Sequence, residues 1–148
     1  MVRRTLLLPI LLTMCLSWAT GLAAQSWGNL DALMSQSFGP GVISAYWLPD
    51  HGDPGQAQHA VAVAYLENPH GGNAVGIASA LFARTAQGFA QTHTIEGLFG
   101  QTPRDAVYSP THVEVTTTMP GPNDPRCCPT VPTRWRIDLT TGSVARLN

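Results

Sequence analysis

The chain has 148 residues, of which 44% are hydrophobic and 11% are charged, and it contains no lysine. This length supports one domain, and so low a charge excludes a long disordered acidic or basic tail. The formal net charge of −1 comes from 8 arginines against 9 acids. So few basic residues cannot form a basic surface large enough to bind the phosphates of a nucleic acid, which argues against nucleic-acid binding.

Residues 1–24 have the pattern of a secretory signal peptide. A basic start with Arg3 and Arg4 precedes an apolar run over residues 5–18, and the small residues Gly21 and Ala23 fit a cleavage site after Ala23. We therefore expect an exported domain over residues 25–148, periplasmic or secreted and not integral to the membrane.

The segment allows three other interpretations. A membrane anchor is disfavoured because the run is too short to cross the bilayer and contains Pro9. A lipoprotein signal at Cys15 is disfavoured because Met14 stands where a small residue is required. The arginine pair suits twin-arginine export as well as the general route, so the export route stays open.

Removal of the signal leaves a mildly acidic domain with one pair of cysteines. The remaining chain has six arginines and nine acidic residues, which give a formal net charge of −3. Its remaining cysteines are the neighbours Cys127 and Cys128. A disulfide between neighbours encloses no loop, so it does not stabilise a fold by restricting the unfolded chain in the usual way.

The first predicted element is a helix over residues 27–36. Its apolar residues recur at helical spacing, Ser26 is the predicted N-cap, and Gly39-Pro40-Gly41 is the predicted stop.

Apolar residues then alternate with period two, which predicts strands over residues 42–48, 59–67, 74–84, 89–95, 107–119, 134–139 and 143–147. The stretch 59–67 is almost continuously apolar, as expected of a central strand covered on both faces. The five prolines within residues 119–133 remove too many backbone donors for a paired strand and predict an irregular excursion. Together, the predicted helix and strands indicate an α+β domain with an N-terminal helix packed on one antiparallel meander of five to seven strands.

Within the proline-rich excursion, residues 121–130 read Gly-Pro-Asn-Asp-Pro-Arg-Cys-Cys-Pro-Thr. This decapeptide resembles the C-terminal signature of a family of small exported bacterial proteins and lipoproteins of unknown function, G-P-x-D-P-x-C-C-P-[ST]. The resemblance implies export and an α+β fold and no particular activity. Members commonly carry an acidic, glycine-rich calcium-type loop before the central strand, whereas the matching residues 50–56 here lack most of those acids.

The adjacent cysteines are the chemically unusual feature of the chain. A vicinal disulfide between Cys127 and Cys128, two reduced buried thiols, and a bond to another chain or a metal are the alternatives. A vicinal disulfide forms an eight-membered ring that we expect to be a rigid apolar knob, bracketed by Pro125 and Pro129, with Asp124 and Thr130 bonding to the free amides of the loop. A stiff structural loop is the simpler interpretation, since Arg126 is the only adjacent basic residue that would activate a thiol.

Two further groups of polar residues are candidate sites. His93 and His112, on strands predicted to be neighbours, would form a copper or zinc site with Cys127 or Cys128, although solvated positions on a sheet face explain each histidine more simply. Arg134 and Arg136 point to one side of their strand and would form an anion-binding or partner-binding patch with Arg126, unless they pair with Glu114 or Asp138.

Familiar catalytic motifs are missing from the sequence, which contains no nucleophile elbow, phosphate loop, dinucleotide fingerprint or His-Glu-x-x-His pair. We therefore expect a non-enzymatic binding or interaction module without a cofactor, whose partner is an envelope protein, a glycan or a small ligand. The predicted binding residues are Asp124, Arg126, Cys127, Cys128, Pro129, Arg134 and Arg136. The alternative is a thiol-redox or metal-binding envelope protein that uses the two cysteines.

Overall fold

The structure is a computed structural model that describes residues 26–72, 75–125 and 127–148. The predicted signal peptide, with its arginine pair and Cys15, lies outside the described residues, and so does Arg126.

The helix, α1, spans Leu30–Phe38 and begins three residues later than predicted. Asn29, rather than Ser26, is the N-cap, and its Oδ1 accepts a hydrogen bond of 2.9 Å from the Ala32 N–H. Gly28 has a φ of +75°, which lies outside the helical region and excludes an earlier start. The predicted stop is confirmed, because Gly39 at φ +92° donates its N–H to the Ser35 carbonyl at 2.9 Å. No helix among the described residues has the length and apolarity needed to span a membrane.

Eight strands form two antiparallel sheets, which corrects the prediction of a single meander. Sheet A contains, in spatial order, β1 (Val42–Pro49), β2 (His59–Glu67), β3 (Val75–Thr85) and β4 (Gly88–Ile95). Sheet B contains β5 (Gln101–Tyr108), β6 (His112–Met119), β7 (Val131–Asp138) and β8 (Val144–Arg146). The protein is thus mostly β with one short helix, and each sheet is itself a simple meander.

Two apolar clusters arrange the elements in three layers. The larger cluster fills the space between the sheets and includes Val61, Leu81, Val113, Trp135 and Ile137. The smaller one lies between α1 and the other face of sheet A and includes Met34, Ala60, Ala62, Ala80 and Phe82. When the chain folds, the facing sides of the two sheets and the apolar face of α1 are removed from water. This burial of apolar surface is the main favourable contribution to folding.

Strand β2 is buried on both faces, as its sequence predicted. It also begins and ends at the predicted residues. Val61 and Val63 face sheet B, whereas Ala60 and Ala62 face α1, and all four are at most 1% exposed. A strand covered on both faces needs apolar residues at every position, which is why it reads as a continuous apolar run.

The prediction of one strand over residues 107–119 was wrong. The chain turns after Tyr108, where the Ser109 N–H donates to the His112 carbonyl at 2.8 Å, and β5 precedes that turn. Strand β5 escaped prediction because Thr102 and Asp105 have positive φ values of 50° and 54° and its pairing with β6 shifts register twice, which destroys the alternation.

In β4, a bulge explains why some side chains lie on a different face of the sheet from the one that the sequence predicted. Alternation placed Phe89 and Ile95 on one face, but the register shifts opposite Leu81 and Phe82, so that Phe89 packs towards α1 and Ile95 packs between the sheets. One extra residue in a strand reverses the facing of everything beyond it.

Candidate functional site

The proline-rich loop that joins β6 to β7 spans residues 120–130, which is shorter than the predicted excursion over 119–133 because residues 131–133 pair with β6 despite Pro132. The loop is held closed by one carboxylate. Asp124 Oδ2 accepts hydrogen bonds of 2.7 Å from both the Gly121 and the Thr130 backbone N–H groups, and the Thr130 hydroxyl donates to the same carboxylate at 3.0 Å. These bonds, the one from Gly121 first among them, lower the pKa of Asp124. The predicted bonding of Asp124 to the loop amides is confirmed, and it fastens both ends of the loop together.

The two cysteines form a vicinal disulfide, as one of the sequence alternatives predicted. Both cysteines are exposed, and the Cys128 N–H donates to the Pro125 carbonyl at 3.0 Å across the bend. The prediction of a disulfide is therefore confirmed over that of two buried thiols. The disulfide therefore lies in an exposed part of the loop.

The predicted arginine patch is centred on Glu114, which lies between Arg134 and Arg136 on the outer face of sheet B. Arg136 Nη2 donates to Glu114 Oε1 at 2.8 Å, and Arg134 Nη2 donates to Oε2. The bond from Arg136 is the first cause of the lowered pKa of Glu114, with Arg134 adding to it. The pairing that competed with a free anion site is thus present, while the two arginine side chains remain 58% and 49% exposed and keep other donors available.

These residues lie along one strand rather than in one pocket. Strand β7 starts directly after the loop, and along its ladder Arg134 pairs with Thr116 and Arg136 with Glu114. The arginines therefore extend from the loop down the outer face of sheet B. Farther along this face, His112, Arg136 and Asp138 line a shallow groove of about 290 Å³. Pro129 is half-buried beside the disulfide.

The predicted pairing of His93 with His112 was wrong. His93 lies on β4 in sheet A and His112 on β6 in sheet B, because the residues predicted as one meander form two sheets. Within the described ranges, no group of three or more histidine, cysteine or acidic side chains is arranged to hold a metal ion. His51 and His70 are exposed in loops.

The loop that matches the family's calcium-type segment is held by hydrogen bonds within the protein. Asp50 accepts from the Gln58 and His59 N–H groups at 2.9 and 3.0 Å, and Asp53 Oδ1 accepts from the Gly55 N–H at 2.8 Å. The bond from the Gly55 N–H, followed by one from the Gln56 side chain, lowers the pKa of Asp53. Both carboxylates therefore already have backbone partners.

Sequence reasoning overlooked Arg84, which anchors this same loop. Its Nε donates to the Ala57 carbonyl at 2.6 Å, a second nitrogen donates to the Pro54 carbonyl, and its guanidinium lies 4.5 Å from the centre of the Phe89 ring. The signal in the sequence was a lone arginine at the end of an apolar strand.

Comparison with known proteins adds no relative, because no protein-family model, curated protein or solved structure matches the chain significantly. The family resemblance of the decapeptide stays a prediction.

Proposed function

We propose that this protein is an exported, periplasmic or secreted, non-enzymatic module that binds an envelope protein, a glycan or a small ligand through the disulfide loop and the adjoining face of sheet B. The observation that supports this is the exposed vicinal disulfide in a loop whose two ends share one carboxylate. A rigid, exposed apolar group loses little conformational entropy on binding, which is what an anchor residue of an interface needs.

The arginines supply the polar part of the proposed surface. Arg134 and Arg136 are held in place by Glu114 but are half-exposed, so each presents guanidinium N–H groups in a fixed direction. A partner with carboxylate or other anionic groups beside an apolar contact for the disulfide is complementary to this surface.

The test is capture of envelope components on immobilised protein. We expect the wild-type chain to retain a set of proteins or glycans from the envelope fraction of its own organism, and the double variant Cys127→Ser/Cys128→Ser to bind that set about tenfold more weakly, a loss of roughly 1.4 kcal/mol. The matched control is Pro110→Ala, in the β5–β6 turn at the other end of sheet B. Equal capture by all three proteins would overturn the proposal.

Exposure of the two cysteines favours one second candidate, thiol–disulfide exchange with an envelope dithiol. In that reaction the partner's two thiols become a disulfide while Cys127 and Cys128 gain two electrons and two protons, through a mixed disulfide. The single variant Cys128→Ser cannot oxidise the dithiol, but its Cys127 thiol can attack the disulfide form of the same partner, releasing one partner thiol and leaving the mixed disulfide as a covalent adduct that dithiothreitol releases. Its formation together with unchanged capture by the double variant would replace the binding proposal with exchange.

A further inference from the structure

The two sheets have four edges among the described residues, and three of them are poorly suited to further pairing. At β4, a Cβ atom on Gly142 would lie 2.7 Å from the Thr94 carbonyl oxygen, so the β7–β8 turn packs against this strand. Strand β5 is broken by two positive-φ residues and two register shifts, and β8 has only three residues. Features of this kind keep sheet edges from pairing with other chains.

Strand β1 lacks most of these protections. Its eight residues, Val42–Pro49, include no charged side chain, and its only interruptions are a bulge near Val42 and the terminal Pro49. Charges and prolines are the usual means by which an edge strand avoids further pairing. The middle of β1 is therefore an open edge.

The backbone groups that face outward along this edge can be assigned. The Asp50 N–H donates to the His59 carbonyl at 2.9 Å, and hydrogen-bonded pairs alternate along an antiparallel ladder. The backbone groups of Leu48 and Tyr46 therefore point to β2, and those of Trp47 and Ala45 point away from it. Two N–H and two C=O groups are thus positioned for an added strand.

Depressions lie on both sides of this edge. One, of about 330 Å³, runs between β1 and α1 and is lined by Asp31, Met34, Ala45 and Trp47 among others. The other, of about 260 Å³, lies on the opposite face between Tyr46, Tyr65 and Val75. Ile43 borders both and is 60% exposed. Successive side chains of a strand point to opposite faces, so an added strand would place alternate side chains in the two depressions.

Charge distinguishes between the possible occupants. Asp31 is the one charged residue that lines the groove beside α1, and none of the ion pairs among the described residues includes it. A complementary strand therefore carries a basic side chain on the face towards α1. A second copy of this chain pairing through β1 offers no basic residue there, since β1 has none.

We propose that the open edge of β1 binds an extended segment of a partner protein, which adds as a fifth strand to sheet A. The segment carries an arginine or lysine facing Asp31 and an apolar residue next to it in sequence, facing Tyr46 and Tyr65. This surface is separate from the disulfide loop, so the binding site proposed above can fail without affecting this one.

The test uses a library of random nonapeptides displayed on phage and selected on the wild-type protein. We expect the enriched peptides to share a basic residue beside an apolar one. Ala45→Pro removes an outward N–H that β2 does not use, and we expect it to weaken binding of the enriched peptides about tenfold, or roughly 1.4 kcal/mol. The control Pro110→Ala, in the β5–β6 turn of sheet B and outside both depressions, should bind like the wild type. Amide exchange at Ala45 and Trp47 should slow when peptide is bound.

The charge requirement has its own variants. Asp31→Asn should weaken binding of the basic peptides, and Asp31→Arg should shift the selection to acidic ones, which tests the proposal even if Ala45→Pro fails to fold. The proposal is overturned if selection enriches no peptides, or if enriched peptides bind folded Ala45→Pro or Asp31→Arg as well as they bind the wild type. A wild-type protein that dimerises, and that Ala45→Pro makes monomeric in sedimentation, would assign the edge to a second copy instead.

Discussion

At the scale of single residues, Asp124 shows how one side chain determines the shape of a loop. Its carboxylate accepts two backbone N–H groups and one hydroxyl from positions that lie nine residues apart in sequence, Gly121 and Thr130. Backbone donors next to prolines have few other partners, because proline itself offers none. Asp124 thus acts as a positioning residue, and contact with a partner falls to the exposed cysteines.

The lowered pKa of Asp124 predicts a pH-dependent contribution to stability. A carboxyl whose pKa is lower in the folded protein stabilises the fold above its unfolded pKa of about 4, and this stabilisation is lost as the pH falls through the folded value. Asp124→Asn should therefore lower the melting temperature at pH 7 more than at pH 3. Asp105→Asn, at a carboxylate that is 71% exposed, is the control and should have little effect at either pH. Equal losses for Asp124→Asn at both pH values would contradict the assignment.

The disulfide itself gives a direct prediction. Intact mass measured on residues 25–148 should be two hydrogens below that of the dithiol, and alkylation should add no label until a reductant has been supplied and two labels afterwards. Cys127→Ser leaves one thiol free at an exposed position and should accept one label without reductant. Labelling of the wild type without reductant would show that the bond is absent.

At the scale of elements, the turn between the two sheets depends on a chain of buried hydrogen bonds. The Trp135 indole N–H donates to the Thr117 hydroxyl at 2.7 Å, which in turn donates to the Phe99 carbonyl at 2.7 Å. The next residue, Gly100, has φ +105°, and a Cβ there would lie 2.8 Å from the Thr117 Cβ. This close approach requires glycine and brings the turn onto β6.

Replacing the shared hydroxyl tests this chain of bonds. Thr117→Val keeps the shape of the side chain but leaves the buried indole N–H without an acceptor, so we expect a loss of about 1–3 kcal/mol in the free energy of unfolding. Thr117→Ser keeps the hydroxyl and removes one methyl group, which should cost about 0.8 kcal/mol. Urea unfolding followed by tryptophan fluorescence compares the three proteins. A Thr117→Val protein as stable as Thr117→Ser would show that the hydrogen bonds contribute little.

A strand could be predicted from the sequence only where the pattern of its apolar residues matches the burial of its two faces. Strand β2 is covered on both faces and has a matching apolar run, so both of its ends were predicted. Strand β5 contains two residues at positive φ and was not recognised. At the candidate site too, local hydrogen bonds such as those that Asp124 accepts could be predicted, because they follow from turn chemistry. The separation of His93 from His112 depends on how two sheets stack, which no local pattern specifies.

At the scale of the whole molecule, two tyrosines bond the sheets to each other. The Tyr108 hydroxyl of sheet B donates to the Leu48 carbonyl of sheet A at 2.6 Å, and the Tyr65 hydroxyl of sheet A donates to the Gly100 carbonyl at 2.9 Å. Burial is the first cause that raises the pKa of both phenols. These hydroxyls add direction to a contact that is otherwise apolar.

The raised pKa of Tyr108 predicts an alkaline limit to stability. A phenol whose pKa is higher in the folded protein contributes fully below its unfolded pKa of about 10, and this contribution declines as the pH rises above that value. Tyr108→Phe should lose about 1 kcal/mol at pH 7 and should be less sensitive than the wild type between about pH 10 and 11. Thermal melts over this range measure both effects. Tyr46→Phe, at a half-buried edge position, serves as the control, and an unchanged alkaline slope in Tyr108→Phe would refute the prediction.

Because of the order of strands, the chain can be divided into two parts, each of which contains one complete sheet. Within each sheet every strand pairs with its neighbours in sequence, β4 and β5 do not pair, and among the described residues no backbone–backbone hydrogen bond joins the part before Gly97 to the part after it. The two halves therefore contact each other without a shared backbone ladder, through apolar side chains and the two tyrosine-to-carbonyl hydrogen bonds, as separate subunits can. A chain cut near Gly97 would give two fragments that reassemble without exchanging strands, so this turn is the natural place to split the protein into a complementing pair.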